Sequence, residues 1–191
     1  MRIIAGKHRG RQLVSFRQEG VRPTSDKARE ALFNILAPDL PGAFFLDMFC
    51  GTGAVGLEAM SRGAGKVVFN DLSRESLRIL RRNLAMLGEE AEVHNLDFRA
   101  LAGSLRERFD IIYIDPPYKS GYGGKALEAV ASHGLLREGG IAVLESDTPF
   151  SGDAKGFVRR GERRYGIAWL TFFGWEEADS CGETGGDGGE K

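Results

Sequence analysis

At 191 residues, 42% apolar and 28% charged, the chain suits one domain of ordinary size with a real core. No apolar run nears the roughly 18 residues of a membrane span, the opening Met1-Arg2-Ile3-Ile4-Ala5-Gly6-Lys7 lacks a secretory apolar segment, and Cys50 and Cys181 make no disulfide framework, so a cytoplasmic protein without a membrane partner is expected. The net charge of −1 is unevenly divided: residues 1–30 hold eight Lys/Arg against three acids, and residues 176–191 hold six acids against Lys191 alone. A concentrated basic head is the electrostatic footprint of a phosphate-backbone binder, although a solvated basic surface has the same composition.

In chain order, residues 3–6 and 12–16 flank Lys7-His8-Arg9-Gly10-Arg11 as a small hairpin with a cationic loop, an extension over residues 1–24. Ser25 is a plausible N-cap for a helix whose Ala28, Ala31, Leu32, Ile35 and Leu36 share one face, and Pro38 and Pro41 end it. The pattern then alternates: a strand at 44–49, a glycine loop, a helix at 55–62, a strand at 66–70 and a helix at 73–87 with Leu77, Leu80, Leu84 and Leu87 at core spacing. A short strand at 92–95, a helix at 98–107, a strand at 110–114, a helix at 125–133 and a strand at 141–144 follow. Residues 157–160 and 167–173 read as two strands with no helix between them. This is an α/β domain over residues 25–175, with a mostly parallel sheet of seven strands, an antiparallel end and helices on both faces. Residues 176–191, with five glycines and six acids, are expected to be disordered.

Two motifs carry chemistry. Ile111-Ile112-Tyr113-Ile114 runs into Asp115-Pro116-Pro117-Tyr118. Neither proline has an N–H to extend the ladder, so the strand stops with a carboxylate, free carbonyls and an aromatic ring at its C-terminal edge, where α/β sheets bind ligands. Acceptors beside a stacking surface suit a planar group with N–H donors, such as a nucleobase amine.

The second motif is Asp47-Met48-Phe49-Cys50-Gly51-Thr52-Gly53-Ala54-Val55-Gly56, with Asp71 at the tip of the next strand. Gly51, Gly53 and Gly56 match the dinucleotide fingerprint G-x-G-x-x-G, so a nicotinamide enzyme is one candidate. Asp47 sits awkwardly beside a pyrophosphate but suits a ligand with a positive ammonium and sulfonium, S-adenosyl-L-methionine. Asp97 could accept from the adenine amine, with Leu96 and Phe98 flanking the ring. Asp47, Asp71, Asp97 and Asp115 would then occupy four successive strand tips.

With these residues in place, the sequence resembles a Rossmann-like class I S-adenosylmethionine-dependent methyltransferase, and more closely the RsmD family of bacterial 16S ribosomal RNA guanine-N2 methyltransferases. The resemblance runs to about Trp175. It rests on Arg2-Ile3-Ile4-Ala5-Gly6-Lys7-His8-Arg9-Gly10-Arg11, on Arg22-Pro23-Thr24-Ser25-Asp26-Lys27-Ala28-Arg29-Glu30-Ala31-Leu32-Phe33-Asn34, on Leu46 to Gly53, on Leu57-Glu58-Ala59 and on the DPPY tetrapeptide. Phe49 and Cys50 stand where the family has smaller or aliphatic residues, Asp71 where it often has glutamate, and the acidic tail lies outside its pattern.

The resemblance implies a methyl acceptor held by Asp115, Pro116, Pro117 and Tyr118. It implies a cofactor site of Asp47, Phe49, Cys50, Gly51, Thr52, Gly53, Asp71, Leu72, Asp97 and Phe98, with no metal. RNA contacts are expected from Lys7, Arg9, Arg11, Arg22, Lys27 and Arg29, with Lys155, Arg159, Arg160, Arg163 and Arg164 as an extension of the patch. The partner would be 16S rRNA in an assembled small-subunit particle, met by a monomer. Alternatives are an adenine-N6 or cytosine-N4 methyltransferase on DNA, a protein glutamine methyltransferase, and a non-catalytic RNA-binding assembly factor.

Overall fold

Residues 1–15, 26–117 and 121–176 are described by the computed structural model. In chain order the elements are α1 (Asp26–Leu36), β1 (Phe44–Asp47), α2 (Ala54–Ser61), β2 (Lys66–Asn70), α3 (Arg74–Leu87), β3 (Glu92–His94), α4 (Phe98–Ser104), β4 (Phe109–Ile114), α5 (Tyr122–Ser132), β5 (Leu136–Ser146), β6 (Phe157–Tyr165) and β7 (Ala168–Trp175). The seven strands form one sheet in the order β3-β2-β1-β4-β5-β7-β6. Pairs from β3 to β5 are parallel, and β7 joins β5 and β6 antiparallel. This is the Rossmann-like class I methyltransferase order, and the strand order reverses its direction of travel between β1 and β4, the place where such sheets open a crevice.

Alternation along the strands divides the core in two. Phe45, Phe69, Ile111, Tyr113 and Val143 pack with Leu32, Leu36, Leu57, Leu77, Leu80 and Leu84 of α1, α2 and α3. Leu46, Val68, Ile112, Ile114 and Leu144 pack with Phe98, Leu101, Leu127 and Val130 of α4 and α5. Strands β1, β2, β4 and β5 are thus covered on both faces, which accounts for their near-continuous apolar reading. Helix α3 shows the local logic well. The Ser73 hydroxyl accepts from Ser76 N at 3.2 Å, and Gly88 closes the helix at φ 70, the left-handed conformation glycine adopts without a Cβ penalty.

Two strands are longer than expected from the sequence. β5 begins at Leu136 rather than 141, because its first half, Arg137-Glu138-Gly139-Gly140, carries no apolar alternation and enters through a register shift against Phe109–Ile111. β6 continues through Gly161 to Tyr165 with a similar shift near Arg159–Gly161. As an edge strand it needs few apolar residues, and its arginines hide its length. Among the described residues, no helix is long and apolar enough to cross a membrane.

The N-terminal extension is less of a separate unit than its sequence suggests. Arg2 and Gln12 form an isolated antiparallel bridge, yet Ile3 and Leu13 are buried in the core shared with α1, α2 and α3. Residues 16–25, including Arg22 and Ser25, and Tyr118 lie outside the described residues.

Candidate functional site

The C-terminal ends of β1, β2 and β4 gather the acids. Asp47 ends β1 beside Phe69 and Tyr113 and is 1% exposed. Its Oδ2 accepts from Gly56 N at 2.9 Å, while its Oδ1 is buried with no hydrogen-bond partner among the described residues. A buried carboxylate oxygen without a donor is costly, so the site is built to receive one. Burial, partly offset by the Gly56 amide and reinforced by nearby Asp71, pushes the Asp47 carboxyl from 3.8 up to about 7.

The glycine loop is shaped by close approach. Gly53 has φ +89, and a Cβ there would stand 2.3 Å from Leu80 Cδ1; a Cβ on Gly56 would stand 2.2 Å from the Phe69 ring. The loop is tied to β2 by Asp71, whose Oδ2 accepts from Gly51 N at 2.8 Å and whose Oδ1 accepts from Ser73 N at 2.7 Å. A carboxylate has about four acceptor positions, so Asp71 keeps capacity for hydroxyl donors. Leu72 beside it is 71% exposed, an apolar surface suited to a planar ring. Thr52 and Gly51 are half-buried, and Cys50 is buried, its thiol pushed well up by burial and then by Asp47 and Asp71.

Asn70 and Asn95 carry no motif in the sequence, and both organise this edge. Asn70 is buried and joins three strand tips: Nδ2 donates to Met48 O and Leu96 O at 3.1 Å, and Oδ1 accepts from Leu96 N at 3.1 Å. Asn95 Nδ2 donates to the Asp71 and Leu72 carbonyls, both at 2.9 Å. Their only sequence signal is position, Asn70 one residue before Asp71 at the end of β2 and Asn95 two before Asp97.

Asp97 caps α4, accepting from Arg99 N at 3.0 Å, and stays half-exposed. Phe98 departs from expectation. It is 3% exposed, with its ring packed between Phe49 and Tyr122 at 5.5 Å each and the Arg99 guanidinium 4.5 Å from its centroid. Its side chain packs into the α4–α5 layer of the core beneath the Asp97 loop.

Asp115 follows β4, and the parallel register Ile114↔Leu144 sets it beside Glu145, which is 1% exposed and receives a hydrogen bond from the Tyr113 hydroxyl. Asp115 retains some surface, but its carboxyl is closely surrounded. Burial, then the Glu145 and Asp47 charges, hold it well above the usual carboxylate range. Pro116 and Pro117 line a cavity of about 550 Å³ with Tyr122, Gly123 and Phe150. Glu145 and Tyr122 escape a reading of the sequence alone; for Glu145 the available signal is a charged residue closing an apolar strand.

Perturbed acids beside a glycine loop at a switch point are a strong functional indication, and comparison with known proteins agrees. Residues 1–174 match the family described as "Conserved hypothetical protein 95". Over 153 residues the chain is 37% identical to "Ribosomal RNA small subunit methyltransferase D" of Haemophilus influenzae, covering 77% of this chain and 79% of that protein. The chain belongs to the RsmD family of methyltransferases. The solved structure of the Escherichia coli protein yhhF superposes with a TM-score of 0.83 at 31% identity, covering 92% of this chain and 98% of that one. A tRNA (guanine(26)-N(2))-dimethyltransferase of Pyrobaculum arsenaticum is 39% identical over 101 residues, 51% of this chain and 27% of that protein. As an RsmD-family member the chain is a methyltransferase enzyme.

The basic residues of this RsmD-family chain are not all where a phosphate binder needs them. Arg29 is 0% exposed: its Nη2 donates to Arg2 O at 2.7 Å and Asp26 Oδ1 at 2.9 Å, and its Nε lies 3.9 Å from Glu58 Oε2. Glu58, itself buried, also accepts from Ile4 N and Ala5 N at 2.8 and 3.0 Å and from Arg62 Nε at 2.7 Å. Arg29 is therefore corrected from RNA contact to internal anchor, since a buried cation must stay with its acids. Lys7 is held by Glu89 at 2.6 Å and lines a cavity with Lys66 and Glu92, which begin β2 and β3. The loop tip thus sits at the opposite edge of the sheet from Asp115. Arg9, Arg11 and Lys27 are exposed, as are Lys155, Arg159, Arg160, Arg163 and Arg164.

Proposed function

We propose that the chain transfers a methyl group from S-adenosyl-L-methionine to the exocyclic N2 amine of a guanine in small-subunit (16S) ribosomal RNA. The observation that carries this reading is the pairing of Asp115, at the end of β4, with Asp47 on the adjacent strand tip, whose Oδ1 lacks a donor among the described residues. Asp47 and the Gly51–Gly53 loop would hold the ammonium end of the cofactor, Asp71 its ribose hydroxyls, Leu72 and Asp97 its adenine. When bound there, the cofactor supplies an electrophilic methyl group and a positive charge among acids that want one.

The guanine N2 lone pair is delocalised into the ring, so the amine is a poor nucleophile. Its two hydrogens would be accepted by the Asp115 carboxylate and the Pro116 carbonyl, which increases sp³ character at nitrogen, takes its lone pair out of conjugation with the ring and stabilises the charge that develops there until one proton leaves to water. Positioning of the two reactants can contribute about 7–11 kcal/mol at its upper end. Tyr118 would stack on the base. A paired base cannot reach this edge, so the target would be unpaired or flipped.

The guanine choice is supported by the N2-directed relative and the RNA by the RsmD relatives.

The test is incubation with labelled S-adenosylmethionine and small-subunit particles lacking the modification, followed by mass spectrometry of the nucleosides. N2-methylguanosine is the expected product. N6-methyladenosine would move the reading to an adenine enzyme, and no product would leave a non-catalytic assembly factor.

A further inference from the structure

Helix α3 carries a fully buried primary amide inside its leucine stripe. Asn83 is 0% exposed among Leu80, Leu84 and Ile79, at a position where an aliphatic side chain would simply continue the core. A buried primary amide is destabilising unless its donors and acceptor are satisfied, and those of Asn83 are spent on two separate parts of the molecule. Its Oδ1 accepts from Val14 N at 2.8 Å and its Nδ2 donates to Val14 O at 3.0 Å. The same Nδ2 donates to Thr52 O at 3.1 Å.

Each contact constrains backbone. Gripping both the N–H and the C=O of Val14 fixes that residue much as a strand partner would. Thr52 lies between Gly51 at φ +52 and Gly53 at φ +89, in the loop that would close around the cofactor. Val14 lies where the N-terminal segment has returned from its tip at the far edge of the sheet, three residues after Arg11. One amide therefore joins the glycine loop to the segment bearing the exposed cations.

We infer that Asn83 is a positioning residue that couples the glycine loop to the N-terminal segment, so that cofactor occupancy and RNA engagement strengthen each other. This rests on the methyltransferase reading above. Coupling of this kind is reciprocal: if the cofactor tightens RNA binding by some factor, RNA tightens cofactor binding by the same factor. The physical carrier is a pair of backbone segments held in one register by a planar group that cannot satisfy either of them from two places at once.

Two measurements test it. The first uses the wild-type protein alone: amide hydrogen exchange with and without S-adenosylhomocysteine. Slower exchange is expected at residues 50–53 and also at residues 12–15. Slowing at the glycine loop alone overturns the coupling while leaving the cofactor assignment intact, and slowing at neither overturns both. The second measures affinity for unmodified small-subunit particles with and without S-adenosylhomocysteine, in wild type, Asn83→Ala and Asn83→Asp, the last keeping the acceptor and removing both donated bonds. Wild type should tighten about fivefold or more, within the usual span of coupling, and both variants by a factor near one. A core residue with no coupling role would weaken each ligand separately and leave the ratio unchanged, and that result overturns the inference. Particles that bind the wild-type protein but are not methylated by it would instead refute the catalytic reading.

Discussion

Asp47→Asn should make the protein more stable at neutral pH while impairing cofactor binding. The Asp47 carboxyl is raised from 3.8 to about 7, chiefly by burial, so between those values the folded state holds a proton that the unfolded chain has released. An acid with a raised folded-state value contributes its full stability below the unfolded value and loses it as pH rises toward the folded one. From pH 5 to pH 8 the wild type should therefore lose roughly 2–3 kcal/mol through this one group, at up to about 1.4 kcal/mol per pH unit below the folded value near 7 and little above it. Asparagine does not titrate and can still accept from Gly56 N, although a buried amide that leaves a polar group unsatisfied has a pH-independent cost of about 1–3 kcal/mol. The absolute stability difference is thus less informative than its change with pH. Urea denaturation of both proteins at pH 5, 6, 7 and 8 should show the variant gaining on the wild type up to about pH 7 and levelling off beyond it, by about 2–3 kcal/mol over the range. A difference that moves by less than about 0.5 kcal/mol, within the usual error of such extrapolation, would mean that Asp47 is ionised in the folded protein, and the argument for a donor-hungry oxygen would fail. Calorimetry with S-adenosylmethionine supplies the other half, since the variant should bind more weakly at pH 8 even as it unfolds less readily.

Other expectations follow from the same geometry. Asp115→Ala should reduce methyl transfer by at least about 10²–10³-fold, the scale for loss of one group stabilising developing charge, with cofactor binding by calorimetry largely preserved; near-normal turnover would remove Asp115 from the chemistry. Because burial, Glu145 and Asp47 raise the Asp115 carboxyl, kcat/KM should climb with pH to a point above the ordinary carboxylate range, and Glu145→Gln should move that limb to lower pH. An acid limb unmoved by the substitution would separate Glu145 from Asp115. Replacing Arg9 and Arg11 by alanine should weaken particle binding and flatten its log–log salt slope by about 1–2, given roughly 0.7–0.9 for each phosphate no longer neutralised; an unchanged slope would take the loop off the binding surface. Gly56→Ala, with its Cβ 2.2 Å from the Phe69 ring, should cost about 1–3 kcal/mol by overpacking, and a thermal melt equal to wild type would show that the ring can yield.

The parallel half of the fold is readable in the sequence because burial on both faces writes uninterrupted apolar runs such as Ile111–Ile114. The glycine loop is readable because backbone approach admits few residue types. The full lengths of β5 and β6 are not, since Gly139, Gly140 and the arginines of an edge strand carry no alternation and are fixed only by their neighbours in the sheet. The site divides the same way. Asp47, Asp71, Asp97 and Asp115 stand at strand ends and announce themselves by position, whereas Glu145 becomes meaningful only when the register sets it beside Asp115. Arg29 misleads for the opposite reason: a cation in a basic stretch looks like a surface residue until Glu58, on the following helix, is seen to fold over against it. Phe98 likewise follows its acid in sequence but faces the layer below.

The seating of the first fifteen residues has a consequence for how the chain is made. They are synthesised before Glu58, Ser61 and Asn83, which satisfy the backbone of Ile4, Ala5, His8 and Val14. Ile3 and Leu13 must wait for α2 and α3 before they have a core to enter, so this segment is among the last parts able to reach its place. Substitutions that disrupt its seating would accordingly show themselves as poor folding yield and exposed apolar surface during synthesis, well before any defect in RNA recognition could be measured.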